Sequence, residues 1–131
     1  MPHTADVILE AWGPDLASCC EEAVAALVGT FVARTEGGIV GEHRTRLSSE
    51  PEESLLLDVL EEVIFTLDTA EEVPVGADIR STHDGGLDVV LRLAERTTLE
   101  ATGAVPKAVS RSGLRVDVEP GQIFCRFLVD L

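Results

Sequence analysis

The stretch His83-Asp84-Gly85-Gly86-Leu87-Asp88-Val89-Val90-Leu91-Arg92-Leu93 decides the fold class. An Asp-Gly pair tolerates the positive φ of a tight turn, so residues 83–86 read as a hairpin. Beyond it Leu87, Val89, Leu91 and Leu93 recur at every second position, the period of a strand with one buried face. Val75 to Thr82, with Ala77 and Ile79 alternating, supplies the partner strand. Towards the C-terminus, Thr97 to Thr102 extends or flanks this hairpin, and Val105 to Ser110 leads into a strand carrying Leu114, Val116 and Val118 on one face. Pro120-Gly121 then turns the chain into a last strand, Gln122 to Asp130.

The N-terminal half has a different rhythm. Asp6 to Trp12 reads as a strand, with Val7, Leu9 and Ala11 opposed to Ile8, Glu10 and Trp12, and Gly13-Pro14 breaks it. Pro14 and Asp15 suit the first turn of a helix. That helix is predicted to run to about Val32, with Leu16, Cys20, Ala23, Leu27 and Phe31 on its apolar face and Glu21 and Glu22 off it. After the Gly-rich stretch Glu36-Gly37-Gly38, residues 41–47 read as a polar strand. Ser49-Glu50-Pro51-Glu52 matches a capping box. A second helix from Pro51 to about Leu67 buries Leu56, Val59, Leu60, Val63, Ile64 and Leu67. The order predicts an α+β fold: a two-layer sandwich with two helices packed on one face of a mainly antiparallel sheet.

A length of 131 residues suits one domain, 1–131, with a real core. Aromatics are 4% of residues, so that core is built from Leu, Val, Ala and Ile. No apolar run approaches the roughly 18–20 residues that cross a bilayer, and no export signal opens the chain, so the expected location is cytoplasmic. The formal charge of −14 disfavours direct nucleic-acid binding and favours cations and partners with basic surfaces. Cys19 and Cys20 are adjacent, no CxxC occurs, and all three cysteines, with Cys125, read as small packing residues.

Chemistry concentrates at the two ends. Asp6 opens the first strand and Asp130 nearly closes the last, beside Leu131 and its α-carboxylate. If those strands are neighbours, hard oxygen donors converge at one sheet edge, the donor type that Ca²⁺ and Mg²⁺ prefer. His3 lies close by in sequence, and Lys107 is available to pair with a carboxylate or a phosphate. His43 and His83 lack ligand-type spacing and read as surface residues. The chain has no nucleophile elbow, P-loop, dinucleotide glycine fingerprint or HExxH, and with no tyrosine it has few base-stacking platforms. It does not read as an enzyme.

Five segments together carry a family resemblance: His3-Thr4-Ala5-Asp6-Val7, Gly13 with Leu16, the helix from Leu55 to Ile64, Lys107-Ala108-Val109-Ser110, and Val129-Asp130-Leu131. In this order they resemble archease, the protein cofactor of the GTP-dependent RtcB-type RNA ligase. The resemblance implies an archease-like two-layer fold over 1–131. It implies a divalent-metal site, Ca²⁺ with Mg²⁺ or Mn²⁺ as alternatives, held by Asp6, Asp130 and Leu131. His3 and Lys107 would join the functional patch. The implied role is activation of a tRNA-splicing or RNA-repair ligase by promoting its guanylylation and multiple turnover. Family members usually carry more residues before the histidine, and Tyr-His where Arg111-Ser112 stand here. The competing readings are a stand-alone metal- or small-molecule-binding domain without a ligase partner, a carboxylate hydrolase, and a chaperone-like protein.

Overall fold

A computed structural model describes residues 6–35, 38–69, 71–96, 99–101 and 105–131. The elements run β1 (Asp6–Gly13), α1 (Leu16–Val28), β2 (Val32–Thr35), β3 (Gly41–Leu47), α2 (Glu52–Thr69), β4 (Glu72–Ser81), β5 (Leu87–Glu95), β6 (Leu99–Ala101), β7 (Ala108–Glu119) and β8 (Gln122–Asp130). The fold is α+β as expected, and every ladder among the described residues is antiparallel. The strands do not form one sheet, however. They form β1-β8-β7, β3-β5-β4 and a short β2-β6 ladder.

Alternation builds both larger sheets. In β5 the side chains of Leu87, Val89, Leu91 and Leu93 are buried, and in β8 those of Ile123, Cys125, Phe127 and Val129. Both hairpins form where expected: Gly85 adopts φ +90° between β4 and β5, and Gly121 adopts φ +78° between β7 and β8. With Pro120 ahead of it, Gly121 occupies the corner of a type II turn that only a residue tolerating positive φ can fill. Asp84 Oδ1 accepts the Gly86 N–H and the Thr82 hydroxyl, tightening the first hairpin.

Both helices lie over the buried faces. α1 packs on β1, β8 and β4, so it bridges the two three-stranded sheets, while α2 covers β7, β4 and β5. The shared core joins Leu27 and Val24 of α1, Leu56, Val59, Leu60 and Val63 of α2, and Phe127 of β8. Cys19, Cys20 and Cys125 are free and buried within it. Burial pushes the Cys20 thiol up to about 12, and hydrogen bonding to Cys19, then burial, raise that of Cys125. Both thiols are protonated at neutral pH, as packing groups should be.

Several boundaries differ from the sequence reading. α1 ends at Val28, not Val32, because Gly29 takes the cap and its N–H bonds Ala25 and Leu27 carbonyls. Phe31 still reaches the core, from the turn beyond the helix. Of the residues assigned to the last helical turn, Val32 instead enters β2, which pairs with β6 across long sequence separation. Asp15 is the N-cap rather than a first-turn residue: its carboxylate accepts the Ser18 N–H at 2.8 Å, which holds its pKa below the ordinary value. Asp15→Ala is expected to cost about 1 kcal/mol in urea unfolding, the usual worth of such a cap.

At α2 the Pro51 carbonyl accepts from the Ser54 and Leu55 N–H groups, so the helix begins at Glu52 with Pro51 as its cap residue, not Ser49. β4 begins at Glu72 rather than Val75. Its Pro74 is tolerated because β4 is an edge strand and a bulge lies between Pro74 and Gly76. Glu21, expected off the packed face of α1, is half-buried and accepts the Ile79 N–H at 2.8 Å, covering part of the exposed β4 edge.

Candidate functional site

The site grows from one pairing. β1 and β8 run antiparallel in register from Asp6↔Asp130 to Gly13↔Ile123, so the first and last strands are neighbours and the two aspartates stand directly opposite. Residues facing each other across an antiparallel pair share a face of the sheet. Leu9 and Ala11 point with Phe127 and Cys125 into the core beneath the helices, and Val7 shares that face by its pairing with the buried Val129. Asp6 and Asp130 therefore share the opposite, outward face, and like charges so placed repel unless something cationic lies between them.

β7 flanks the other side of Asp130. Ala108 pairs with Asp130, and the Lys107 main-chain N–H donates to the Asp130 carbonyl at 2.7 Å. Lys107 itself is exposed. Asp130 is half-buried, and its Oδ1 is a buried oxygen without a hydrogen-bond partner among the described residues. An unpartnered buried carboxylate oxygen is costly. Its lone pairs are free for a hard cation, and this observation fits the donor chemistry of a Ca²⁺ or Mg²⁺ site. Leu131, partly buried against the core, follows immediately. Among the described residues no group of three or more His, Cys, Asp or Glu side chains could hold a metal, so a cation here needs main-chain oxygen, water, or donors beyond them. His3 lies outside the described residues.

The other histidines separate. His43 is not a simple surface residue: it is half-buried on β3, with Nε2 2.6 Å from Glu62 Oε1 on α2. The helix beneath β3 was legible, but which strand would face Glu62 was not. Sequence reasoning also left unassigned the outward face of β1 and β8, where Trp12 and Phe124 meet with ring centroids 5.2 Å apart. The signal was present in Ile8 and Trp12, which alternate with the core residues of β1 and point away from them.

An all-antiparallel α+β domain whose terminal strands pair through opposed aspartates defines a narrow class. The archease protein family model matches residues 1–131, and the chain belongs to that family. Proteins named "Probable protein archease" from two Mycobacterium tuberculosis strains are 43% identical over 115 residues, or 88% of this chain. The chain spans 64% of the length of those relatives. The solution structure of Methanobacterium thermoautotrophicum protein 1598 superposes with a TM-score of 0.74 at 26% identity, covering 100% of this chain and 96% of that one. The crystal structure of a Thermotoga maritima protein, described as an archease and possible chaperone, superposes with a TM-score of 0.70 at 21% identity, covering 100% and 94%. At that identity the likeness concerns the fold. No helix among the described residues is long and apolar enough to cross a membrane.

Proposed function

We propose that this chain is an accessory protein, not itself a catalyst, that activates a GTP-dependent RtcB-type RNA ligase by promoting its guanylylation and turnover. The observation that carries the reading is the Asp6↔Asp130 pairing beside an unpartnered buried Asp130 oxygen. Asp6, Asp130 and a Leu131 oxygen would hold the cation, Ca²⁺ before Mg²⁺ or Mn²⁺, with His3 and Lys107 in the same patch. A divalent ion there supplies positive charge for positioning phosphate oxygens. The chain's own residues do the rest. Antiparallel pairing fixes the spacing of the two aspartates, the Lys107 main-chain N–H anchors the end of β8, and the exposed Lys107 side chain offers a phosphate partner. A formal charge of −14 keeps the protein off RNA and directs it to a protein partner.

The test pairs metal binding with ligase activation. Calcium is expected to stabilise the native protein by about 2.7 kcal/mol at one hundred times Kd, read as a rise in Tm. Asp6→Ala and Asp130→Ala should abolish both that rise and the stimulation of ligase guanylylation, with far-UV circular dichroism unchanged. Full stimulation by both variants would refute the role.

A further inference from the structure

The two larger sheets present opposite kinds of outward face. On β3-β5-β4 charges pair across strands: Arg46 Nε lies 2.8 Å from Asp88 Oδ1, and Arg92 Nη1 lies 2.6 Å from Asp78 Oδ1. That is a solvated surface, with little to offer a partner. On β1-β8 the outward pairs are Ile8↔Leu128 and Trp12↔Phe124, with Glu10↔Arg126 between them. Ile8 is 53% exposed and Trp12 50%. Exposed apolar side chains paired across two strands on either side of a charged pair, on a face that no helix of the described residues covers, are the mark of an interaction surface.

The face is also shaped. The register of β7 against β8 shifts between Ser110 and Arg115. There Gly113 lies so close to Leu128 that an added Cβ would sit 2.8 Å from the Leu128 Cβ. The result is a recess of about 420 Å³ lined by Ile8, Gly113, Leu114, Arg126 and Leu128 among others. A second hollow of about 220 Å³ lies at Trp12 and Phe124, with Asp117 and Glu119 on its rim.

Continuity and charge select the occupant. Asp6↔Asp130 is the next outward pair after Ile8↔Leu128, so a partner lying on this face against the aspartates also covers the recess. Acids on this face, Asp6, Glu10, Asp117, Glu119 and Asp130, outnumber the basic Arg115 and Arg126 with Lys107 at its edge, and Arg115 is already paired with Asp117 at 2.7 Å. A second copy would bring like charge against like, each chain carrying −14. We infer that the outward face of β1-β8-β7 is the docking surface for a protein partner that presents basic side chains around an apolar projection. The projection fills the Ile8–Leu128 recess, Trp12 and Phe124 form the second anchor, and the paired aspartates stand at the leading edge. Buried aromatic and aliphatic anchors inside a charged rim are the usual anatomy of a tight contact. The inference rests on the ligase reading above, which supplies the partner.

The experiment measures binding of the full chain to the RtcB-type ligase by calorimetry, alongside Ca²⁺ titration and sedimentation of the chain alone. Ile8→Ser and, separately, Trp12→Ser change side chains that are already half exposed, so the core is untouched, and add no charge beside the aspartates. Each is expected to weaken ligase binding on the order of 30-fold, the scale of an interface hot spot, and to leave Ca²⁺ binding as it was. Arg44→Ala, on the other outward face, should change neither. Ligase binding at native strength by both variants overturns the docking face alone and leaves the metal-site role standing. Absence of any complex with the native chain overturns the ligase reading and this inference with it. A native dimer that Ile8→Ser converts to monomer overturns the heterologous partner in favour of self-association.

Discussion

Phe127→Ala is expected to lower the unfolding free energy by about 3–5 kcal/mol, the range for emptying a fully buried phenylalanine site. Phe127 is 0% exposed and is among the largest fully buried side chains of the described residues. It sits on β8, which carries β1 on one side and β7 on the other, so the cavity opens beneath the centre of a three-stranded sheet. The core around it holds leucines and valines of both helices, which relax only partly into the space. Against a typical total of about 5–15 kcal/mol, the loss is large. Urea unfolding followed by circular dichroism reads it as a fall in midpoint. Phe65→Ala on α2, at 60% exposure, is the control, expected to stay within about 0.5 kcal/mol. Equal shifts for the two variants would contradict the assigned core.

Gly13→Ala is the second large effect, on the order of 1–3 kcal/mol through overpacking. Gly13 ends β1, and the first turn of α1 folds back over it. A Cβ there would lie 2.6 Å from the Cys19 nitrogen and 2.9 Å from the Ser18 carbonyl carbon. Both are main-chain atoms, so no side-chain rotation relieves the contact; the helix must move off the strand. That movement would reach the core, because Cys19 is 0% exposed and its Sγ lies 3.7 Å from the Ala11 carbonyl oxygen. Gly38→Ala, where an added Cβ meets nothing within 4 Å, should be neutral or slightly stabilising. The same unfolding assay separates them, and a stability cost at Gly38 matching that at Gly13 would remove the steric explanation.

The features legible in the linear chain are those with local causes. Asp84-Gly85 and Pro120-Gly121 announced their hairpins because positive φ is a property of the residue itself. The β8 range, Gln122 to Asp130, follows from strict alternation. The misplaced boundaries share the opposite property. Residues 29–32 continue an apolar pattern compatible with a helix, yet Gly29 caps α1 and Val32 is taken by β2, whose partner β6 lies more than sixty residues away. Such pairings reward the chain only after a long loop has closed, so no local window reports them. Glu72 joins β4 for a different reason: the β4–β5 hairpin runs on past the bulge at Pro74 and Gly76 to pair Glu72 with Glu95, beyond the stretch that alternation marks.

The aspartates show where the division falls. Composition and patterning determined two amphipathic helices, several antiparallel strands, an acidic surface and an aspartate near each end of the strand set. Only the folded chain decided that β8 runs between β1 and β7, which sets Asp6 opposite Asp130 and gathers Ile8, Trp12, Phe124 and Leu128 on one outward face. A side chain's direction along its own strand follows from a two-residue period, but its neighbour across the sheet depends on which strands pair and in what register. That choice belongs to the packing of the whole core.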